Sequence, residues 1–72
     1  MYLVPKIDEI KKRRIKAGLS KHQLSLKAGL GGVAICRIEK ELTHKIHPLR
    51  AREIANVLNC QVEDIFEKNN RK

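Results

Sequence analysis

Residues 19–40 read LSKHQLSLKAGLGGVAICRIEK and place two helical patterns on either side of a cluster of glycines. Ser20 and Gln23 have the spacing of a capping box, in which the side-chain oxygen of each accepts from the backbone N–H of the other. The pattern predicts a helix that begins at Ser20 and ends at Gly29, because glycine readily adopts the left-handed conformation of a helix end. Another helix is predicted from about residue 31 to 40. The stretch therefore predicts a helix, a tight turn and a helix, the helix-turn-helix arrangement.

The glycines also match a cofactor-binding pattern. Residues 29–34, GLGGVA, fit G-x-G-x-x-G/A, the fingerprint of a dinucleotide-binding turn. That turn requires a preceding strand, a βαβ unit and an acidic residue about 20 residues later. Here an amphipathic helix precedes the glycines, and Glu53, the acid near that distance, falls within another predicted helix. We therefore interpret the glycines as a turn between helices and predict no cofactor.

Three further helical patterns complete an all-α domain of five helices. The first runs over about residues 5–17, with Pro5 in its first turn and Gly18 as its left-handed stop. The fourth opens at Pro48 and closes at Asn59, and the fifth is one or two turns that follow Gln61, a poor cap, so that it should fray. The apolar positions of the last three helices predicted to face the core are Ala34, Ile35, Ile38, Leu42, Ala51, Ile54, Ala55, Leu58, Val62, Ile65 and Phe66.

Composition limits the classes of function. The 72 residues suit one domain over residues 1–72, with possible flexible ends at 1–4 and 68–72, and the net charge is +8. Residues 1–30 hold eight lysines and arginines against two acids, whereas residues 51–72 hold four of each. A small domain with a positive pole suggests a polyanionic partner, nucleic acid before membrane. No apolar run approaches the roughly 20 residues of a membrane span, so we expect a cytoplasmic protein with no membrane partner.

The sequence contains no clear pattern for a catalytic site or a metal site. Cys36 and Cys60 lack Cys-x-x-Cys pairing, which indicates reduced thiols. Cys36, His44 and His47 could suggest zinc, but the two histidines flank a loop before a proline and no fourth ligand is evident. The acids are scattered over helix surfaces without a nucleophile–base pair. We predict no metal and no enzymatic activity.

The chain resembles a known family of regulators. Residues 18–41, GLSKHQLSLKAGLGGVAICRIEKE, followed by a basic loop and IANVLNCQVEDIF at residues 54–66, are similar to the Cro/CI-type (XRE) helix-turn-helix DNA-binding domain. The resemblance covers roughly residues 7–67 without a gap. It implies a five-helix, lambda-repressor-like fold and operator binding as a dimer.

The resemblance also implies an ion pair inside the fold. Arg14 projects from the middle of the apolar stripe of the first helix, where an unpaired cation would be costly. The family places an Arg–Glu pair at positions that correspond here to Arg14 and Glu39. We therefore expect these two side chains to form a structural ion pair.

The third helix is predicted to read DNA. If its isoleucines face the core, its other face meets the base edges in the major groove. The predicted base-contacting residues are Gly32, Val33, Cys36 and Arg37. The family usually has Ser/Thr and polar residues where this chain has Gly31, Gly32 and Val33, so strong readout depends on the donors of Arg37, which suit guanine O6/N7.

Phosphate contacts are predicted on both sides of that helix. Lys21 and His22 begin the second helix, and Lys21 stands where the family usually has Gln. Ser25, within the same helix, stands where the family usually has Ala. The second predicted set lies in the loop after the third helix and comprises Lys40, Thr43, His44 and Lys45.

These expectations combine into a DNA-binding transcriptional regulator, a repressor that binds a palindromic operator on double-stranded DNA as a homodimer. The predicted dimer interface is apolar and C-terminal, formed by Val57, Val62, Ile65 and Phe66. Residues 2–4 are either an extended arm that joins this interface or a disordered tail. One alternative is the antitoxin of a toxin–antitoxin pair, which binds a protein toxin as well as its own promoter. A second is a protein-binding adaptor or partner of a co-regulator that has lost DNA readout.

Overall fold

The computed structural model describes residues 2–68, which form five short helices and a two-stranded sheet. The elements in chain order are β1 (Leu3–Pro5), α1 (Ile7–Lys16), α2 (Lys21–Lys27), α3 (Ala34–Glu39), α4 (Pro48–Val57), α5 (Val62–Ile65) and β2 (Phe66–Lys68). The predicted five-helix fold is confirmed, with a small sheet added to it. Within residues 2–68, no helix combines the length and hydrophobicity that a membrane crossing requires.

Local sequence signals set the limits of α2 and α4. Gln23 N–H donates to Ser20 Oγ at 3.0 Å, and Ser20 N–H donates to Gln23 Oε1 at 2.8 Å, so the predicted capping box is present. Gly29 follows α2 with φ +75°, and Asn59 follows α4 with φ +56°. Gly18 has φ +74° after α1, as predicted for a left-handed stop.

The core is one cluster to which all five helices contribute buried side chains. Aliphatic side chains dominate it, and the stripe predicted for α4 is buried from Ala51 to Leu58. Two core residues, Leu3 and Ile46, lie outside every predicted helix. The buried apolar residues are Leu3, Ile10, Leu24, Ala28, Ile35, Ile38, Ile46, Ala51, Ile54, Ala55, Leu58, Ile65 and Phe66.

The N-terminal segment differs from its prediction. Pro5 ends strand β1 rather than opening α1, which starts at Ile7. Strand β1 pairs antiparallel with β2, Pro5 opposite Phe66, and Leu3 is 5% exposed. Residues 3–5 are therefore neither a free arm nor a disordered tail, because their partners lie at the other end of the chain. The flexible end predicted at 68–72 falls outside the described residues, apart from Lys68 in β2.

Helix α3 is shorter than predicted, and the loop after it buries a different residue from the one predicted. The helix begins at Ala34, so the glycines at 31 and 32 belong to the preceding loop. Glu41 then adopts φ +61°, which ends the helical periodicity. Leu42 is 66% exposed as a consequence, contrary to the prediction that it faces the core, and Ile46 is buried instead.

Helix α5 is capped more firmly than its sequence suggested. The carboxylate oxygen Oδ2 of Asp64 accepts from the N–H of Gln61 at 2.9 Å. The helix continues directly into β2, and Lys6 N–H donates to the carbonyl of Ile65 at 2.8 Å. The missing side-chain cap at Gln61 is thus offset by the Asp64 carboxylate and by the hydrogen bond from Lys6 to Ile65.

Candidate nucleic-acid interface

A buried ion pair fixes the end of α3 against α1. Arg14 Nε donates to Glu39 Oε2 at 2.7 Å and Nη2 donates to Oε1 at 3.3 Å, which is a two-point contact between guanidinium and carboxylate. The side chains are only 10% and 5% exposed. Arg14 Nη1 also donates to the carbonyl of Leu19 at 2.8 Å, just before α2. The structure thus brings the two predicted partners together and links α1 with both helices of the motif.

A single hydroxyl joins α2 to α3. Ser25 is fully buried, and its Oγ accepts from the N–H of Ile35 at 2.9 Å while it donates to the carbonyl of Lys21 at 2.8 Å. The Ile35 amide lies in the first turn of α3, where no carbonyl of the helix itself is in position to accept from it. Sequence reasoning noted Ser25 as a departure from the family pattern but missed this bond, because its partner lies on the following helix.

The three glycines between α2 and α3 differ in backbone conformation and in what surrounds them. Gly29 has a positive φ. At Gly31 a Cβ would meet nothing within 4 Å. At Gly32 a Cβ would lie 2.7 Å from Cε1 and 2.9 Å from Nδ1 of His22, and His22 Nδ1 lies 3.2 Å from the Gly32 carbonyl oxygen. Gly32 therefore accommodates the close approach of an imidazole.

The outward face of α3 carries the residues predicted to contact bases. Val33, at the start of the helix, is 59% exposed, and Arg37, one turn later, is also exposed. The N–H of Arg37 donates to the carbonyl of Val33 at 3.0 Å, so the two side chains follow one another along the same face. Gly32 and Cys36 are half-buried beside them, while Ile35 and Ile38 face the core.

Basic and polar residues precede and follow α3 in the chain. Lys21 is half-buried and His22 exposed in the first turn of α2. In the loop after α3, Thr43 is half-buried, and the exposed members of the predicted set are Lys40, His44 and Lys45.

The N-terminal strand supports that loop, which no local sequence signal indicated. Leu3 N–H donates to the Ile46 carbonyl at 2.9 Å, and Ile46 N–H donates to the Leu3 carbonyl at 2.8 Å. The Lys45 ammonium lies 4.9 Å from the centre of the Tyr2 ring, a cation–π distance. Tyr2 and Leu3 therefore hold the end of the loop that carries predicted phosphate contacts.

The structure corrects the predicted dimer interface. Ile65 is fully buried and Phe66 is 2% exposed within one chain, so neither can contribute surface to a second copy. Val57 and Val62 are half-buried and pack against the core. The four apolar residues predicted to form the dimer interface instead cover the core of one chain, because β1 and β2 close this end of the domain.

Two further side chains considered in the sequence analysis, Cys60 and His47, have structural roles or surroundings that can be described. Burial raises the pKa of the Cys60 thiol above its ordinary value; Arg13 opposes this shift and Asp64 adds to it. His47 caps α4, since its Nδ1 accepts from the N–H of Leu49 at 3.1 Å. Sequence reasoning considered His47 as a metal ligand and missed this capping role.

Comparison with protein families identifies the motif. A family model described as helix-turn-helix matches residues 10–65, which covers most of the chain, from within α1 to the end of α5. Comparison with curated proteins and with solved structures found no match. The matched region contains the Arg14–Glu39 pair, the Ser20 cap and the outward face of α3 described above. The chain belongs to the Cro/CI-type helix-turn-helix family of DNA-binding regulators.

Proposed function

We propose that the protein is a transcriptional repressor that binds a palindromic operator as a homodimer, with α3 in the major groove. The observation that carries this proposal is the outward face of α3, where Val33 and Arg37 are exposed. Basic residues precede this helix in α2 and follow it in the next loop. An α-helix fits the major groove of B-DNA, and a chain with a net charge of +8 is attracted to the phosphate backbone. Occupation of a promoter by such a domain blocks transcription.

Few side chains can supply base readout. Arg37 presents a planar donor fork that can bond guanine O6 and N7 together, and Val33 can pack on a thymine methyl group. Gly32 adds no side chain, and Cys36 is a weak donor. Sequence preference then depends strongly on Arg37, with a further share from the shape of the DNA.

Phosphate contacts provide orientation and most of the affinity. Lys21 lies in α2, which precedes α3 in the chain, and Lys40, His44 and Lys45 follow α3. Cations on both sides of a groove-bound helix can meet the two strands that border the groove. These contacts carry no sequence information, so their loss weakens specific and random DNA alike.

The limited readout of one copy favours a dimer. Residues 51–72 carry four basic and four acidic residues, so two positively charged chains repel least at this end. A homodimer that binds a two-fold operator needs its two α3 helices about one DNA turn, ~34 Å, apart.

Selection of bound fragments from random duplex DNA tests this function. We expect enrichment of a roughly palindromic site whose half-sites are about one helical turn apart, and complexes that contain two chains. A reporter promoter that overlaps the site should be repressed by the protein. No enrichment over random DNA would reject specific recognition, and one chain per enriched duplex would reject the dimer.

A further inference from the structure

We propose that His22 of α2 is a base-contacting, specificity-determining residue that occupies the place of the missing side chain at Gly32. This inference rests on the proposed function, because it assumes that α3 lies in the major groove. It changes the assignment of His22 from a phosphate contact to a residue that reads sequence.

The first support is the volume that the ring fills. A Cβ at position 32 would fall 2.7 Å from His22 Cε1 and 2.9 Å from Nδ1, closer than real Cβ contacts. The imidazole therefore lies where the side chain of any other residue at position 32 would begin. Position 32 directly precedes Val33, the first residue of the outward face of α3, and His22 itself is exposed.

The second support is the hydrogen bond that holds the ring there. His22 Nδ1 lies 3.2 Å from the Gly32 carbonyl oxygen. A carbonyl oxygen only accepts, so Nδ1 carries the proton and donates. The bond links α2 to the loop before α3 and fixes the orientation of the ring.

The tautomer determines what the ring can recognise. When Nδ1 carries the proton of a neutral imidazole, Nε2 has a lone pair and can only accept. A phosphate oxygen is also an acceptor, so the neutral ring cannot bond to it. In the major groove the complementary donors are the amino groups of adenine N6 and cytosine N4. We therefore assign Nε2 as an acceptor for one of these amino groups.

The experiment is a set of DNA titrations on the selected site and on a scrambled duplex of equal length. The proteins are the parent, His22→Ala, Gly32→Ala and the double variant, with Lys21→Ala as the control for a phosphate contact. We expect His22→Ala to weaken binding to the selected site by about fivefold or more, at the lower end of the range for specific base contacts, and to leave the scrambled duplex nearly unchanged.

Gly32→Ala tests whether the two positions act together. Its methyl group should displace the exposed ring, so this variant should lose as much discrimination as His22→Ala. The double variant should be no weaker than either single variant, since one contact is lost in all three. Thermal melts should agree among the four proteins, because the displaced side chain is exposed.

One spectroscopic and one chemical measurement distinguish base recognition by His22 from a purely structural role. Nitrogen-15 NMR of the neutral imidazole of His22 should show Nδ1 protonated and Nε2 unprotonated. Replacing each adenine of the selected site in turn by purine, which lacks the N6 amino group, and each cytosine by 2-pyrimidinone, which lacks N4, should weaken the parent at one position and leave His22→Ala unaffected there.

Equal weakening of both duplexes by His22→Ala would make His22 a phosphate contact and overturn the proposal. Unchanged binding to both duplexes, or Nε2 protonation in the neutral ring, would overturn it as well. If the parent discriminates its site through Arg37 while His22→Ala behaves as the parent, only this inference fails. If the parent shows no selected site at all, the proposed function fails with it.

Discussion

The helix-turn-helix at residues 20–40 and the joined ends of the chain are held by different kinds of contact. In the first region, polar side chains make specific bonds: Ser25 bridges α2 and α3, and Glu39 binds Arg14 of α1. In the second, β1 and β2 pair through their backbones, and Leu3 and Phe66 are buried. The motif therefore depends on the geometry of a few hydrogen bonds, whereas the ends depend on burial of apolar surface.

The two regions are nevertheless coupled. Strand β1 lies between β2 and residue 46, and the Leu3–Ile46 bonds position the end of the loop that begins at Lys40. The DNA-facing loop is thus supported by a strand made from the other end of the sequence. This difference between the regions can be tested by removing one contact at a time.

The largest effect is expected from Glu39→Gln. The amide keeps the shape of the side chain but leaves the buried Arg14 guanidinium without its counter-charge, which should lower the free energy of unfolding by ~3–5 kcal/mol. Chemical denaturation of both proteins measures this difference. The matched control is Glu9→Gln, since the Glu9–Arg13 pair of α1, at 3.6 Å, is far more exposed than the Arg14–Glu39 pair and should contribute little. Equal stability of Glu39→Gln and the parent would contradict the structural role of the pair.

Leu3→Ala should have the next largest effect. Leu3 is 5% exposed, and truncation of a buried leucine costs ~2–5 kcal/mol through lost burial and the cavity that remains. Leu42→Ala is the control, because the same change at a side chain that is 66% exposed removes little buried surface. Thermal denaturation of the two variants compares them directly. Similar melting temperatures for both would mean that β1 is not part of the folded core.

Ser25→Ala should have a smaller effect that is confined to the contact between α2 and α3. The substitution leaves the Ile35 N–H buried without its acceptor, at a cost of ~1–3 kcal/mol. Hydrogen exchange at the Ile35 amide should accelerate more than exchange at Ile54, which lies in the core of α4. Uniform acceleration of both amides would indicate global destabilisation rather than a local bond between the helices.

The sequence predicted what depends on neighbouring residues and missed what depends on distant ones. The Ser20 cap and the turn at Gly29 follow from residues within a few positions of each other, and both are present. The strand at Leu3 was missed because its partner Lys68 lies at the far end of the chain. The prediction that Leu42 faces the core extended the helical periodicity of α3 past residue 41. Glu41 has a left-handed conformation that ends this periodicity, and Leu42 is exposed.

In the candidate site, too, the sequence predicted the features that depend on neighbouring residues and missed a contact between separate elements. Val33 and Arg37 were placed on the outward face by helical spacing, and both are exposed. The approach of His22 to Gly32 joins two elements, and no pattern within either element indicates it. The glycine itself was the available signal, since glycine also occurs where another group approaches the backbone closely.

The central claim is that α3 reads DNA through Arg37 while flanking cations bind phosphate. Arg37→Ala and Lys21→Ala should each be titrated on the selected and scrambled duplexes at two salt concentrations. Arg37→Ala should cost ~1–3 kcal/mol of binding free energy on the selected site and little on the scrambled one. Lys21→Ala should weaken both duplexes and lower the salt slope by about one unit. Equal weakening of both duplexes by Arg37→Ala would contradict the account, because Arg37 would then be another phosphate contact.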